Sequence, residues 1–326
     1  MIHRRPRIRI GTRGSRLAIW QTDWVRSRLR SAGYGTDRIE IKTTGDLIAD
    51  VPLSQIGTRA LFTKQIDDAL LQERIDLAVH SCKDLPTQLP EGIVIAAIGV
   101  REDPRDALVG RAAIRWMDLP ENVVVATSSL RRKAQLLNLR PDISVVDVRG
   151  NVETRLAKLD KEPGWAAVLL ATAGLIRLGL EQRIGERLSP ELMLPAPGQG
   201  ALAVTVRAGD SNAESAAREA VHDLATALAV AAERGFLGRL EGGCQVPVGA
   251  HAVLDTTESR PFLRLHGRVI SLDGSKKVEG RAEGPVENPD EASALGIRLA
   301  GRLLSEGAAE ILAQVRNAAA PLVTEP

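Results

Sequence analysis

Aromatic side chains are scarce in this chain. With one tyrosine, three phenylalanines and four tryptophans among 326 residues, any core has to be filled by Leu, Ile, Val and Ala. A basic surface interleaved with aromatics for stacking nucleobases is not available. No charge sign dominates either: 43 Lys and Arg stand against 41 Asp and Glu, a formal net charge of +2. Without a basic stripe, no nucleic-acid partner is expected. Cysteine is limited to Cys82 and Cys244, which gives neither a disulfide framework nor CxxC metal spacing. The histidines His3, His80, His222, His251 and His266 form no HExxH arrangement, so no metal site is expected. No apolar run approaches the roughly 20 residues of a membrane span. The basic Met1–Pro6 segment is followed by strand-like sequence from Arg7 rather than by a leader's apolar core. The expectation is a cytoplasmic chain with no membrane partner.

What is present fits two or three domains, since 44% of the residues are hydrophobic and the length exceeds that of a single ordinary core. Short apolar runs alternate with amphipathic stretches through the first two-thirds. Strands are expected at Arg7–Gly11, Asp76–His80, Gly92–Gly99, Asn122–Ala126, Ile143–Val148, Ala166–Leu170 and Ala201–Arg207. Helical spacing is expected after Ser15 (Leu17, Trp20, Trp24, Val25, Leu29, with both tryptophans in the core). It recurs over Leu61–Arg74, from Ser129 to Asn138, after Asn151, and over Thr172–Leu180. The alternation implies parallel sheets covered on both faces. The last third differs: a helical Ser211–Gly238, three alternating runs near Val248–Leu254, Pro261–Ile270 and Lys276–Gly284, a helix near Ala292–Val315, and a frayed tail from Asn317.

Basic residues recur directly after the expected strands: Arg13, Lys83, Arg131 with Arg132, and Arg149. Ligands of open α/β sheets bind beyond the carboxyl ends of strands, where helix N-termini add donors and a favourable dipole. Ser15, Ser128, Ser129 and Asn151 stand at such termini. Scattered surface charges would contribute only about 0–1 kcal/mol each, whereas hydrogen bonds to charged groups in a sheltered site are worth roughly 1.5–3 kcal/mol. The recurrence reads as a cleft for a polyanion, and arginine's planar fork suits carboxylates.

Two further features carry chemistry. In Glu241–Pro247 two glycines precede Cys244, letting the backbone bend and expose the thiol; an incidental cysteine in a turn is the plain alternative. Cys82 ends an apolar strand and is expected to pack inward as an inert thiol. Asp84, after Lys83 and before Pro86, is either an Asx-turn or salt-bridge residue or a carboxylate that manages a cation and a proton. The GxGxxA match at Gly198–Ala203 precedes a strand and so is not a dinucleotide site. No nucleophile-elbow triad is apparent around His80 and Ser81.

These strings resemble one family. Thr12–Ala18 is similar to its TRxSxLA signature. Thr44–Asp46, His80–Pro86 (HSCKDLP), Arg101–Ala107 (REDPRDA), Thr127–Arg132 (TSSLRR), Arg149–Asn151 with Arg155, Pro197–Ala201 (PGQGA) and Leu240–Gly249 (LEGGCQVPVG) follow in the family's order. Together they resemble the hydroxymethylbilane synthase (porphobilinogen deaminase) family.

The resemblance implies an α/β fold: two class II periplasmic-binding-protein-like α/β domains plus a small α+β C-terminal domain with a three-stranded antiparallel sheet. Domain 1 would be 1–100 plus 200–220, domain 2 101–199 and domain 3 221–326. It implies a cytoplasmic, monomeric transferase that deaminates and polymerises four porphobilinogen molecules and releases hydroxymethylbilane. Dipyrromethane would be the cofactor, covalently attached to Cys244. Asp84 would be catalytic, facing the cation left when porphobilinogen loses ammonia. Lys83, Thr127, Ser129, Arg131 and Arg132 would bind the cofactor. Arg13, Ser15, Arg149 and Arg155 would bind substrate, with Arg177 a further cleft arginine. Arg59 and Phe62 would belong to a lid, where the family's pair of lysines is replaced by Gln55 and Arg59.

Two other readings share some of these features. A non-catalytic two-lobed anion-binding protein would explain the basic loops and give Cys244 no role. A cysteine-dependent acyl-transfer enzyme would need a histidine beside Cys244, and His222 and His251 stay open for it.

Overall fold

The computed structural model describes residues 5–43, 63–240, 246–257 and 260–319. Thr44–Asp46, Arg59, Phe62 and Cys244 lie outside the described residues.

The first lobe opens with β1 (Arg7–Thr12), α1 (Arg16–Ser31), β2 (Gly35–Glu40), α2 (Lys64–Leu71), β3 (Leu77–Ser81) and β4 (Ile93–Ile98). Ser15 starts α1 by accepting a hydrogen bond from the Ala18 N–H, and Thr22, Val25 and Leu29 form its buried face at helical spacing. On α2, Ile66, Ala69 and Leu70 are buried at helical spacing. The chain then crosses into a second lobe of β5 (Asp106–Val109), β6 (Val124–Ala126), α3 (Leu130–Leu139), β7 (Ser144–Val146), α4 (Val152–Lys161), β8 (Trp165–Ala171), α5 (Thr172–Arg177) and β9 (Glu186–Leu188). It returns as β10 (Leu202–Arg207) and α6 (Ser211–Val221).

Neither sheet is purely parallel, which corrects the expectation. The first has the order β2-β1-β3-β10-β4. The returning β10 slots antiparallel between β3 and β4, with Ala203 opposite both His80 and Ile98. The second has the order β7-β6-β8-β5-β9, with β5 antiparallel to β8 and β9. Three strands carried too little pattern to be expected. β2 (GTDRIE) and the short β9 are sheet edges, defined by what they pair with rather than by apolar alternation. β5 follows a charged string that reads as loop.

The last part contains α7 (Leu224–Arg239), β11 (Val248–Asp255), β12 (Phe262–Ile270), β13 (Lys277–Pro285), α8 (Pro289–Leu303) and α9 (Ala309–Ala319). The strands form the expected antiparallel sheet, in the order β11-β12-β13. The stretch read as one helix from Ser211 is two. Asp223 caps α7 through the Thr226 N–H at 2.8 Å and donates its own N–H to Ile98 O at 2.7 Å, so the chain is held extended at the junction. The final helix is also broken, at Gly307 with φ 112°, and α9 runs through Asn317, where a tail was expected. α7 and α8 pack closely around the buried Phe236: a Cβ on Gly296 would lie 2.0 Å from Ala232 O, so only glycine permits this crossing.

Trp20 is not a core residue. It is 37% exposed on α1, 5.7 Å below the Arg177 guanidinium. Cys82 is buried as expected, and burial pushes its thiol up to about 11, consistent with an inert side chain. Among the described residues no helix is long and apolar enough to cross a membrane, and no cluster of His, Cys, Asp or Glu is placed to hold a metal.

Candidate active site

The basic loops follow β1, β3, β6 and β7, as the sequence pattern implies, and they draw on both lobes. Arg13 and Ser15 follow β1, Lys83 and Asp84 form a short 3-10 turn after β3, Ser129 to Arg132 open α3, and Arg149 with Arg155 flank the start of α4. Direct contacts cross between the lobes. Arg16 at the start of α1 pairs with Glu153 in the first turn of α4 at 3.1 Å, and Arg177 on α5 covers Trp20 on α1.

Three helices aim their N-termini here, each capped by a polar side chain. Ser15, Ser129 and Asn151 accept from Ala18, Arg132 and Thr154 N–H. A serine that caps uses one acceptor lone pair and keeps its hydroxyl proton for a ligand. Ser128 differs: its hydroxyl donates to Val148 O at 2.8 Å, so its proton is already spent. Thr127 is buried, and its Oγ1 accepts the Ser129 N–H at 3.2 Å.

The arginines fall into two groups, which qualifies the reading of open basic loops. Arg131 and Arg132 are 5% exposed and share the fully buried Asp106. Arg131 Nη1 lies 2.6 Å from Asp106 Oδ2, and Arg132 Nη2 lies 2.7 Å from Oδ1. Arg131 also donates to Leu194 O, and Arg132 to Leu169 O. Burial opposes ionisation of Asp106, yet the two guanidinium groups hold its carboxyl well below the usual carboxylate range. Arg177 is likewise 8% exposed and gives Nη2 to Gly200 O at 2.6 Å; burial lowers it to about 10. Lone guanidiniums in water would not be held this way. These three lock the frame together, because buried charges require partners.

Arg149 and Arg155 are less committed. Arg155 donates Nε to Gly150 O at 2.9 Å. Its sheltered position, then repulsion from Arg132 and Arg149 against attraction by Asp84, brings it down to about 10. Asp84 therefore faces the cations of the other lobe. It is exposed, and no hydrogen bond or ion pair engages it among the described residues. The Asx-turn and salt-bridge readings of Asp84 thus have no support in the geometry. Arg149 Nη1 and Arg131 Nε are buried and lack a hydrogen-bond partner among the described residues. Buried donors are almost always satisfied, so two guanidinium nitrogens without partners at strand-to-helix turns of the same lobe fit an acid-bearing guest.

Several residues that organise this site were not singled out by sequence. Asp106 ties the α3 arginines. Gln199 is completely buried in the return strap, beside Lys83 and Asp106. Glu233 on α7, with 0% exposure, takes both Arg101 Nη atoms at 2.7 and 3.1 Å and the N–H groups of Gly198 and Ala252. That one carboxylate joins both crossings to the third sheet. Arg234 on α7 donates to Pro86 O at 2.7 Å and Thr87 O at 3.2 Å, fastening α7 to the loop that carries Asp84. The available signal was a charged residue within an apolar helix: Glu233 sits amid alanines and must be paired if buried.

Among the described residues, two histidines are engaged by neighbours. Burial, then Arg13, lowers His80 to about 4, and its Nε2 pairs with Thr205 Oγ1 at 3.0 Å. His222 Nδ1 accepts the Ile98 N–H at 3.4 Å.

Comparison with known proteins agrees with this frame. Residues 8–215 match the family model described as porphobilinogen deaminase, dipyromethane cofactor binding domain. Residues 227–305 match porphobilinogen deaminase, C-terminal domain. The porphobilinogen deaminase of Desulforudis audaxviator is 51% identical over 317 residues, covering 97% of this chain and 100% of the relative. That of Geotalea uraniireducens is 48% identical over 310 residues, covering 94% of each. Among solved structures, the periplasmic VFT2 domain of Bordetella pertussis BvgS is similar at a TM-score of 0.40 and 14% identity, covering 66% of this chain and 86% of that one. The methionine-binding protein MetQ is similar at a TM-score of 0.41 and 12% identity, covering 65% of this chain and 89% of that one. Matches that span both lobes and the third sheet, at about half identity along nearly the whole length, place this chain in the porphobilinogen deaminase family.

Proposed function

We propose that this chain joins four porphobilinogen molecules head to tail, with loss of ammonia, and releases hydroxymethylbilane. The observation that carries the reading is the pair of orphaned guanidinium donors, Arg149 Nη1 and Arg131 Nε, in a cleft where Asp84 faces Lys83 and Arg155. Each pyrrole of the product bears an acetate and a propionate, so a lengthening chain brings two carboxylates per ring. Donors without protein partners are what such a guest requires.

The reading takes dipyrromethane as the resident cofactor, and the donor set fits it. When bound through Cys244, it supplies a covalent primer whose free carbon starts the chain. Lys83, Thr127, Ser129, Arg131 and Arg132 would hold its acids. Support for Cys244 comes from its described flank, because α7 ends at Arg239, shortly before it in sequence, and Arg234 fastens α7 to the Asp84 loop. Arg13, Ser15, Arg149 and Arg155 would hold the acids of incoming substrate. Asp84 would stabilise the cation formed as ammonia leaves and accept the proton released on coupling. Arg177 would act mainly through Gly200 and Trp20, and Arg59 and Phe62 through the lid. The same reading divides the chain into 1–100 plus 200–220, 101–199 and 221–326, and takes it to act as a cytoplasmic monomer. A non-catalytic anion-binding protein would need neither an exposed Asp84 without a partner among the described residues nor the Cys244 string.

The test is turnover. Purified protein given porphobilinogen is expected to release ammonia and form hydroxymethylbilane in a ratio of four to one. Arg149→Ala is expected to lower kcat/KM at least about tenfold, the loss of one charge-assisted contact of roughly 1.5–3 kcal/mol. Absence of ammonia release by wild-type protein would overturn the function, and a wild-type rate in Arg149→Ala would remove that residue from substrate binding.

A further inference from the structure

Gln199 lies completely buried in the strap where the chain re-enters the first lobe. Gly200 beside it has φ 89°, and a Cβ there would lie 2.3 Å from Glu102 O, so the two crossing segments touch and the strap has little freedom. A carboxamide offers one acceptor oxygen and two donor hydrogens, and here all are used. Oε1 accepts Lys83 Nζ at 3.2 Å. Nε2 donates to Pro104 O at 2.7 Å and to Asp106 Oδ1 at 2.9 Å. The same Asp106 oxygen accepts Arg132 Nε at 3.0 Å and Nη2 at 2.7 Å. The amide cannot be turned over, because its oxygen would then face two other oxygens. An unbroken polar chain therefore runs from Lys83 in one lobe, through Gln199, to Asp106 and Arg132 in the other.

We propose that Gln199 is a positioning residue that ties the Lys83 ammonium to the Asp106–Arg132 pair, so that the two lobes present their carboxylate-binding groups in fixed register. The idea rests on the function above, which makes Lys83 a carboxylate binder. Hydrogen-bonded chains of this kind polarise one another in a low-dielectric site. A neutral amide suits the position: a carboxylate would repel Asp106, and an apolar side chain would take an acceptor from Lys83 and a donor from Asp106. The charged groups around Lys83 among the described residues include Asp84 on its own turn, Asp106 on β5, and Arg131 and Arg132 on α3. Burial, opposed by Asp84 and reinforced by Arg132, lowers Lys83 to about 8. Its charge is thus kept below that pH and lost as pH rises through it.

The experiment is kcat/KM against pH for purified wild type, Gln199→Met and Gln199→Glu. Because kcat/KM reports groups of the free enzyme, the wild-type alkaline limb is expected near pH 8. Gln199→Met removes the acceptor and is expected to lower kcat/KM about tenfold and shift that limb down. Gln199→Glu sets an anion against Nζ and is expected to shift it up by about one unit. A purely structural role would lower rates and leave the limb where it is. Either folded variant decides: an unmoved limb overturns the tie. Failure of both to fold would also overturn it, by assigning Gln199 to folding. Inactive wild type would instead remove the function itself, so the two failures are distinct.

Discussion

Asp84→Ala is expected to lower kcat by roughly 10³-fold, within the range for losing one acid-base or electrostatic catalytic group, while thermal unfolding stays near the wild-type temperature. Asp84 is exposed and makes no hydrogen bond or ion pair among the described residues, so folding does not depend on it. The charges it feels lie on both sides of the cleft: Lys83 beside it and Arg155 from the other lobe. A carboxylate left unengaged amid cations is available to a transient cation. Asp84→Glu retains charge and should recover part of the loss, whereas Asp84→Asn should not. Steady-state kinetics with porphobilinogen checks this, and near-normal turnover in Asp84→Ala would show that the residue has no catalytic part.

Asp106→Ala is expected to be the most destabilising single change in the second lobe, by about 3–5 kcal/mol, because it strands two buried guanidiniums. The carboxylate is fully buried and its two oxygens accept from Arg131, Arg132 and Gln199. Urea unfolding compared with wild type measures the loss. The pH dependence has a definite sign. The folded-state pKa of Asp106 is depressed by Arg131 and Arg132 against the opposing effect of burial. Its contribution is therefore complete above the unfolded carboxyl value of about 3.9 and is lost as pH falls below that toward the folded value. The variant should show a weaker acid dependence than wild type. Equal stability of the two proteins would mean the triad contributes nothing.

The strand ends, and the loops that follow them, were legible because their signals are local. An apolar run followed within a few residues by a basic residue, with Ser15, Ser129 or Asn151 as a cap, places a donor at a strand-to-helix turn without knowledge of the rest of the chain. Arg13, Lys83, Arg131, Arg132 and Arg149 all fall where that pattern put them. The state of those charges was not legible. Arg131 and Arg132 read as open binding groups, and only the arrival of β5 from earlier in the chain brings Asp106 between them. The insertion of β10 between β3 and β4 is equally long-range, and nothing in LAVTVR states that its neighbours run the opposite way. β2 escaped notice because an edge strand can be polar throughout. Trp20 went to the surface because Arg177 offers its ring a cation there, a contact worth about 0.5–1 kcal/mol. Glu233 was hidden by its alanine neighbours, although it holds Arg101 and two further segments of chain.

The whole account turns on a pyrrole primer carried by this polypeptide. Intact mass spectrometry of the active purified protein tests that directly. The account predicts a mass above that of the polypeptide by two condensed porphobilinogen units, abolished in Cys244→Ser. Active protein with the bare polypeptide mass would contradict it.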